Sequence, residues 1–141
     1  RPGEPLPPED AAQLAAMRQG VVRLCEGADL VIYDTQFTPA EYAAKPHWGH
    51  SCPEDAIEIA QEAGAKQLVL FHHAPERTDE QIDALLAQHR EALADQRVAL
   101  LAAAEGMALE LRDGVKLLPP EAPAPETGPR CDPPPDLEKR P

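Results

Sequence analysis

Apolar and polar residues follow one another along this chain in a pattern that predicts helices and strands in alternation. Short apolar runs at residues 29–33 and 67–71 are rich in leucine and β-branched residues and are bounded by turn residues, which is typical of buried strands. Helical spacing of apolar residues precedes, separates and follows these runs, with breaks at Gly27, Gly64 and Gly106. The pattern predicts an α/β fold in which helices cover a parallel or mixed sheet.

The predicted helices have recognisable starting residues. The first opens at Pro8, and its apolar stripe comprises Ala11, Leu14, Ala15, Val21, Val22 and Cys25. Ser51-x-x-Glu54 and Thr78-x-x-Gln81 have the spacing of capping boxes for two later helices. Residues 98–104 fit either a helix or a strand, and a terminal hairpin is predicted around Asp113-Gly114.

Composition divides the chain into three parts. Most of the 17 prolines lie near the two ends of the 141 residues. We therefore expect an extended segment at residues 1–8, an ordered domain at 9–118 and a proline-rich disordered tail at 119–141. No apolar run is long enough to cross a membrane.

Charge and cysteine content narrow the classes of function. The formal net charge is −12, and the acidic excess persists through the central part of the chain, which argues against nucleic acid as a partner. The three cysteines are widely spaced and form no paired motif. A reducing, cytoplasmic compartment is therefore the expectation.

Candidate chemistry lies at the ends of the two predicted strands. Asp34 ends the first, His72 and His73 follow the second, and His50 lies on the loop between them. Open α/β sheets carry functional groups at the carboxyl ends of their strands. An aspartate there can orient an imidazole that acts as a general acid, while another imidazole binds a metal. A strand-end carboxylate bonded to nearby amides, with loop histidines bonded to backbone, is the competing explanation.

A structural zinc site is a second alternative. It would draw its ligands from His47, His50, Cys52, His72 and His73, but their spacing fits no closed zinc motif. His89 lies on a predicted helix face and is expected to pack there.

Four segments resemble the C-terminal half of a metallo-β-lactamase-fold hydrolase, in its phosphodiesterase branch. They are Ala28-Asp-Leu-Val-Ile-Tyr-Asp-Thr-Gln-Phe-Thr38, Glu41-Tyr42, His47-Trp-Gly-His-Ser51 and Leu68-Val-Leu-Phe-His-His-Ala-Pro75. The resemblance implies an αββα sandwich, of which this chain supplies the C-terminal half. It also implies that His72 is a metal ligand and that Asp34 and His50 form a proton-delivery pair. No ligand role follows for His73.

The same resemblance implies that most of the metal site lies outside this chain. The family's His-x-His-x-Asp-His motif and its bridging aspartate do not occur here. Two zinc ions, or manganese in their place, would be held largely by an N-terminal half, and zinc sites need at least three protein ligands. We therefore expect a hydrolase acting on a small or cyclic phosphoester, inactive without that half.

Two further expectations follow. The alternative to an enzyme is a non-catalytic remnant or interaction module that binds partners through its proline-rich tail. In either case a half-sandwich would expose Ile32, Val69 and Phe71 on the inner face of its sheet. An exposed apolar patch of that kind favours self-association or low solubility.

Overall fold

Helices and parallel strands alternate through most of the protein. The computed structural model describes residues 7–45, 48–93, 98–112 and 114–119. Its elements are α1 Pro8–Leu24, β1 Val31–Asp34, α2 Pro39–Ala44, α3 Pro53–Glu62, β2 Gln67–Phe71, α4 Asp79–Ala92, β3 Ala99–Ala102, β4 Leu109–Leu111 and β5 Val115–Leu117. The α/β class predicted from the sequence is confirmed. Residues 1–6 and 120–141, which make up most of the two predicted terminal segments, lie outside the described residues.

Three strands form a parallel sheet in the order β1-β2-β3, and β4 pairs with β5 in a separate antiparallel hairpin. The predicted hairpin and the predicted strand at 67–71 are confirmed. Parallel neighbours need crossover helices, which α3 and α4 supply. Since both crossovers advance in the same direction across the sheet, right-handed connections place both helices on one face.

That face carries the core. Leu68 and Leu70 of the central strand are fully buried and belong to one cluster with side chains of α3, α4 and the C-terminal end of α1. Burying a leucine side chain of this kind stabilises the fold by about 1.5–3 kcal/mol. The predicted apolar face of α3 is confirmed, because Ala56, Ile57 and Ala60 are all buried.

The predicted stripe of α1 is only partly right. Val22 and Cys25 are buried, whereas Leu14 is about half exposed and the first turns of the helix contribute nothing to the core. Helical periodicity shows which residues share a face, but burial requires a neighbouring element. Among the described residues α1 packs mainly on α3, through its C-terminal half and an ion pair between Arg18 and Glu62.

The opposite face of the sheet is largely open. Ile32 and Phe71 are 59% and 54% exposed, as expected for an uncovered inner face. Val69 was also expected to be exposed, and that expectation is wrong because Val69 is 2% exposed. It lies on the central strand in register with Ile32 and Leu101, so side chains of both neighbouring strands flank it.

Side-chain caps mark where α2 and α4 begin. Thr38 and Glu41 form a reciprocal capping box for α2, and the capping box predicted at Thr78 and Gln81 is confirmed for α4. The box predicted at Ser51 is wrong. Cys52 is the N-cap of α3, and no side chain there caps the helix. The backbone N–H of Ser51 is directed to a strand-end carboxylate instead.

Candidate active site at the strand ends

Parallel pairing brings the two predicted strand-end groups to one edge of the sheet. Asp34 is the last residue of β1 and is in register with Phe71, the last residue of β2. His72 follows directly. Its Nδ1 lies 2.6 Å from Oδ2 of Asp34. The edge therefore holds a carboxylate and an imidazole in direct contact.

The backbone of His72 is unusual and explains this contact. Side chains alternate between the faces of a sheet, so His72 would ordinarily point away from the face shared by Phe71 and its register partner Asp34. Its φ is +64°, and it is the only non-glycine residue with a positive φ in the described part of the chain. This left-handed turn redirects the imidazole toward the carboxylate. Left-handed backbone costs an L-residue about 1–2 kcal/mol, which the surrounding structure must offset.

His50 reaches the same carboxylate from the loop before α3. Its Nδ1 lies 3.1 Å from Oδ2 of Asp34, and the N–H of Ser51 donates to Oδ1 of Asp34 at 2.9 Å. The ring of Phe37, which is buried, packs edge-on against the His50 ring with centroids 5.5 Å apart. These contacts fix the position of His50 although its loop has no regular secondary structure.

Asp34 is the hydrogen-bond acceptor that both rings share, and these contacts shift its own pKa. Partial burial opposes its ionisation, but hydrogen bonds from the Ser51 N–H, His72 and His50 outweigh that effect and lower the pKa of the Asp34 carboxyl. An ionised carboxylate can only accept hydrogen bonds, so each neighbouring Nδ1 carries its proton. The Nε2 atoms of His50 and His72 then have no hydrogen on them in the neutral rings, and both are available as metal ligands or proton carriers.

This arrangement suits a divalent metal bound by imidazole nitrogen, with Asp34 as the supporting carboxylate. Asp34, His50 and His72 offer ligand atoms that all lie within 4.8 Å of one another. Imidazole nitrogen and carboxylate oxygen are common zinc ligands, and a carboxylate on the far nitrogen of a ligating histidine is the usual supporting contact. The three residues predicted from sequence are therefore brought together.

Among the described residues, the alternative structural zinc site is not assembled. Burial raises the pKa of the Cys52 thiol to about 11, and its Sγ donates to Oδ2 of Asp55, so it is a protonated, enclosed side chain. The Nε2 of His73 is 3.1 Å from the carbonyl oxygen of Ala103, away from Asp34. His89 is mostly buried on α4 beside Glu54, consistent with packing. His47 lies outside the described residues.

Sequence reasoning missed Arg77. Its side chain is only 10% exposed, and it donates from Nη1 to the carbonyl oxygen of Gln36 at 3.1 Å and from Nη2 to Oε2 of Glu41 at 2.8 Å. The Arg77 side chain thereby links the loop after β2 to the segment after β1, and both segments lie next to the candidate site. A signal was present, since Arg77 is the single cation in an otherwise acidic stretch before α4.

The sheet is covered by helices on one face, and its strand-end edge carries the Asp34 carboxylate, the His72 imidazole and the His50 imidazole from a neighbouring loop. The family model described as the beta-lactamase superfamily domain matches residues 11–73. This match and the curated relatives bear out the resemblance to a metallo-β-lactamase-fold hydrolase noted in the sequence.

Similar curated proteins are named ribonuclease Z. That of Brevibacillus brevis is 37% identical over 65 residues, covering 46% of this chain and 20% of the relative. That of Geobacillus kaustophilus is 31% identical over 82 residues, covering 58% and 27%. That of Limosilactobacillus reuteri is 32% identical over 98 residues, covering 68% and 32%. The matched segments thus span between a fifth and a third of these relatives. No solved structure matches the chain.

Proposed function

We propose that this chain supplies the proton-delivery pair and one metal ligand of a phosphodiesterase-type hydrolase that acts on a small or cyclic phosphoester. The proposal rests on one observation: the Nδ1 atoms of His50 and His72 both hydrogen-bond to Oδ2 of Asp34. That contact leaves an Nε2 of each ring to face a substrate or a metal. The relatives named ribonuclease Z support hydrolysis of a phosphoester bond.

His50 is proposed as the general acid. When protonated, its Nε2–H can be given to the departing oxygen of the ester, while Asp34 stabilises the imidazolium through Nδ1–H. Asp34 can do so because it is an ionised carboxylate at neutral pH, and hydrogen bonding lowers its pKa further. General-acid catalysis of this kind contributes about 10²–10⁴ to the rate.

His72 is proposed as the metal ligand, through Nε2, with Asp34 orienting its ring. A bound divalent metal, zinc or manganese, would polarise the phosphoryl oxygen and activate water. The Asp34 oxygens already accept hydrogen bonds from Ser51 and both imidazoles, so Asp34 serves better as the orienting group than as a ligand.

A small substrate fits the charge of the chain better than a long nucleic acid does. The net charge of −12 would repel an extended phosphate backbone, whereas one phosphoester held by a metal needs only local neutralisation. Cys25 and Cys52 are both free thiols, which supports a reducing, cytoplasmic setting. None of the described helices is long and apolar enough to cross a bilayer.

Residues 9–118 are proposed as the C-terminal part of the catalytic domain, with the remaining metal ligands supplied by an N-terminal half. Three protein ligands are the minimum for catalytic zinc, and this chain is proposed to provide one. The 141-residue chain should then bind Zn²⁺ or Mn²⁺ weakly and hydrolyse nothing.

The test compares the pure chain with a protein that also carries the N-terminal half, each with Zn²⁺ or Mn²⁺ and bis-(p-nitrophenyl) phosphate. Turnover is expected only in the second case. There, His50→Ala should reduce kcat by about 10²–10⁴. His89→Ala, which removes a histidine of α4 that lies beside Glu54, should leave kcat nearly unchanged. Hydrolysis by the pure chain, or equal losses in the two variants, would refute the assignment.

A non-catalytic interaction module with a partner-binding tail at 119–141 is the second candidate. It is favoured by the acidic, proline-rich composition of that segment. It predicts that addition of the N-terminal half restores no turnover under any metal condition, which the same assay decides.

A further inference from the structure

The two consecutive histidines at the end of the central strand bind to opposite neighbours. Nδ1 of His72 lies 2.6 Å from Oδ2 of Asp34, at the end of β1. Nε2 of His73 lies 3.1 Å from the carbonyl oxygen of Ala103, the first residue after β3. Since a carbonyl oxygen can only accept, Nε2 of His73 carries the proton of this hydrogen bond. Because β2 lies between β1 and β3, the two imidazoles hold the chain from both flanks.

The peptide group before His72 is held as well. The carbonyl oxygen of Phe71 accepts hydrogen bonds from the backbone N–H of Thr35 at 2.9 Å and from its hydroxyl at 3.2 Å. Thr35 is 1% exposed, so this anchor is enclosed by the fold. On the other flank, the N–H of Ala103 donates to the carbonyl oxygen of Leu70 at 2.8 Å, which fixes Ala103 against β2. His72 therefore lies between a peptide group fixed to the β1 side and a side chain fixed to the β3 side.

These two anchors account for the left-handed backbone of His72, whose φ is +64°. The angle φ is the rotation between the fixed Phe71 carbonyl and the rest of the chain, which His73 holds. A histidine without such restraints adopts a negative φ, because Cβ makes the left-handed region unfavourable. One hydrogen bond contributes a free energy of the same order as that penalty. The bond from His73 to Ala103 can therefore offset the strain at His72.

We propose that His73 is a positioning residue: its hydrogen bond to Ala103 holds the left-handed backbone that directs the His72 imidazole to Asp34. Without that bond residue 72 would relax to a negative φ, and the alternation of side chains along the strand would turn its imidazole away from Asp34. This inference rests on the proposed function, because His72 is there the metal ligand. His73 itself touches neither the metal nor the substrate and acts only through His72.

The backbone of residue 72 is tested by nuclear magnetic resonance on the full 141-residue chain, labelled with ¹⁵N and ¹³C. At a positive φ the amide and α protons of a residue are unusually close, so His72 should show a strong intraresidue cross-peak between them. His73→Leu removes the donor at similar size and should weaken that cross-peak to the level of an ordinary strand residue. His73→Gln, whose side-chain amide can donate to the same carbonyl, should restore it.

Zinc binding measures the consequence for the site. Zn²⁺ is titrated into the same samples and followed at the ring resonances of His72. In His73→Leu the fraction of molecules with the left-handed backbone should fall by roughly 5- to 30-fold, the factor set by the left-handed penalty, and the apparent Kd for Zn²⁺ should rise by that factor. His73→Gln should bind Zn²⁺ nearly as the unchanged chain does. His89→Leu is the matched control and should alter neither measurement, because His89 lies on α4 beside Glu54.

A strong cross-peak at residue 72 in His73→Leu would overturn the proposal, and so would losses in His73→Gln as large as those in His73→Leu. A lower melting temperature of His73→Leu with no change at His72 would mean that His73 only packs. Failure of the phosphodiesterase assignment shows instead as absent turnover in the completed protein. The cross-peak is measured without metal or substrate, so the two failures are distinguishable.

Discussion

Replacing His72 by glycine and by alanine separates the strain of its backbone from the contacts of its side chain. Both substitutions remove the imidazole and its contact with Asp34, so this loss cancels when the two variants are compared. With φ at +64°, alanine keeps a left-handed penalty of about 1–2 kcal/mol that glycine escapes. The glycine variant in turn loses about 0.4–1 kcal/mol of stability, because glycine gives the unfolded chain more conformational freedom. We expect the free energy of unfolding to be about 0.5–1 kcal/mol higher for His72→Gly than for His72→Ala.

Thermal unfolding followed by circular dichroism measures this difference. For a domain of this size it corresponds to a melting temperature about 2–8 °C higher for the glycine variant. His73 provides the control, because its φ is not positive and alanine should there be the more stable of the two. If the melting temperature of His72→Ala equals or exceeds that of His72→Gly, the left-handed backbone at residue 72 is not strained as we infer.

Three further predictions concern the rest of the fold. Thr78→Ala should lower the free energy of unfolding by about 0.5–2 kcal/mol because it removes the side-chain cap of α4. Ser51→Ala should have little effect, because Ser51 does not cap α3. Equal losses of stability for the two variants in urea titrations would contradict the cap assignment. The backbone N–H of Thr38 and the guanidinium of Arg77 lower the pKa of the Glu41 carboxyl. The contribution of Glu41 to the free energy of unfolding is therefore complete at neutral pH. It is lost as the pH falls from about 4.5 through the lowered pKa. Glu41→Gln should therefore flatten the acid limb of the stability profile, and an unchanged slope between pH 6 and pH 3 would refute this. Substituting Ile32 and Phe71 together by asparagine should reduce association of the isolated chain, and an unaltered sedimentation coefficient across concentrations would argue against the open face as its cause.

Local patterns predicted the elements that depend on local physics. The run at 67–71 became β2 at the predicted bounds because three consecutive buried residues leave little freedom for its placement. The first strand was expected at 29–33 and is observed at Val31–Asp34, since pairing with β2 begins at Val31 and not at the first apolar residue. Thr78 caps its helix as predicted because both partners of the box lie within one turn.

The failures have a common cause in tertiary context. Ser51 matched a capping box, yet the following proline starts the helix one residue later and the Ser51 N–H is bound to Asp34, which is distant in sequence. The importance of Arg77 likewise depends on contacts with residues 36 and 41 that spacing along the chain does not reveal. The convergence of Asp34 with two histidines was expected from strand-end placement. The left-handed turn at His72 that permits it had no sequence signal.

The open sheet face and the candidate site are two parts of one surface. Phe71 is exposed on that face, its register partner Asp34 carries the hydrogen bonds of the site, and His72 follows Phe71 directly. A polypeptide that covered Phe71 would therefore also approach the carboxylate and the two imidazoles. On the proposed function, burial of this face and the supply of the remaining metal ligands would then occur together. We expect addition of the N-terminal half to raise thermal stability and metal affinity in parallel, because the same contact serves both.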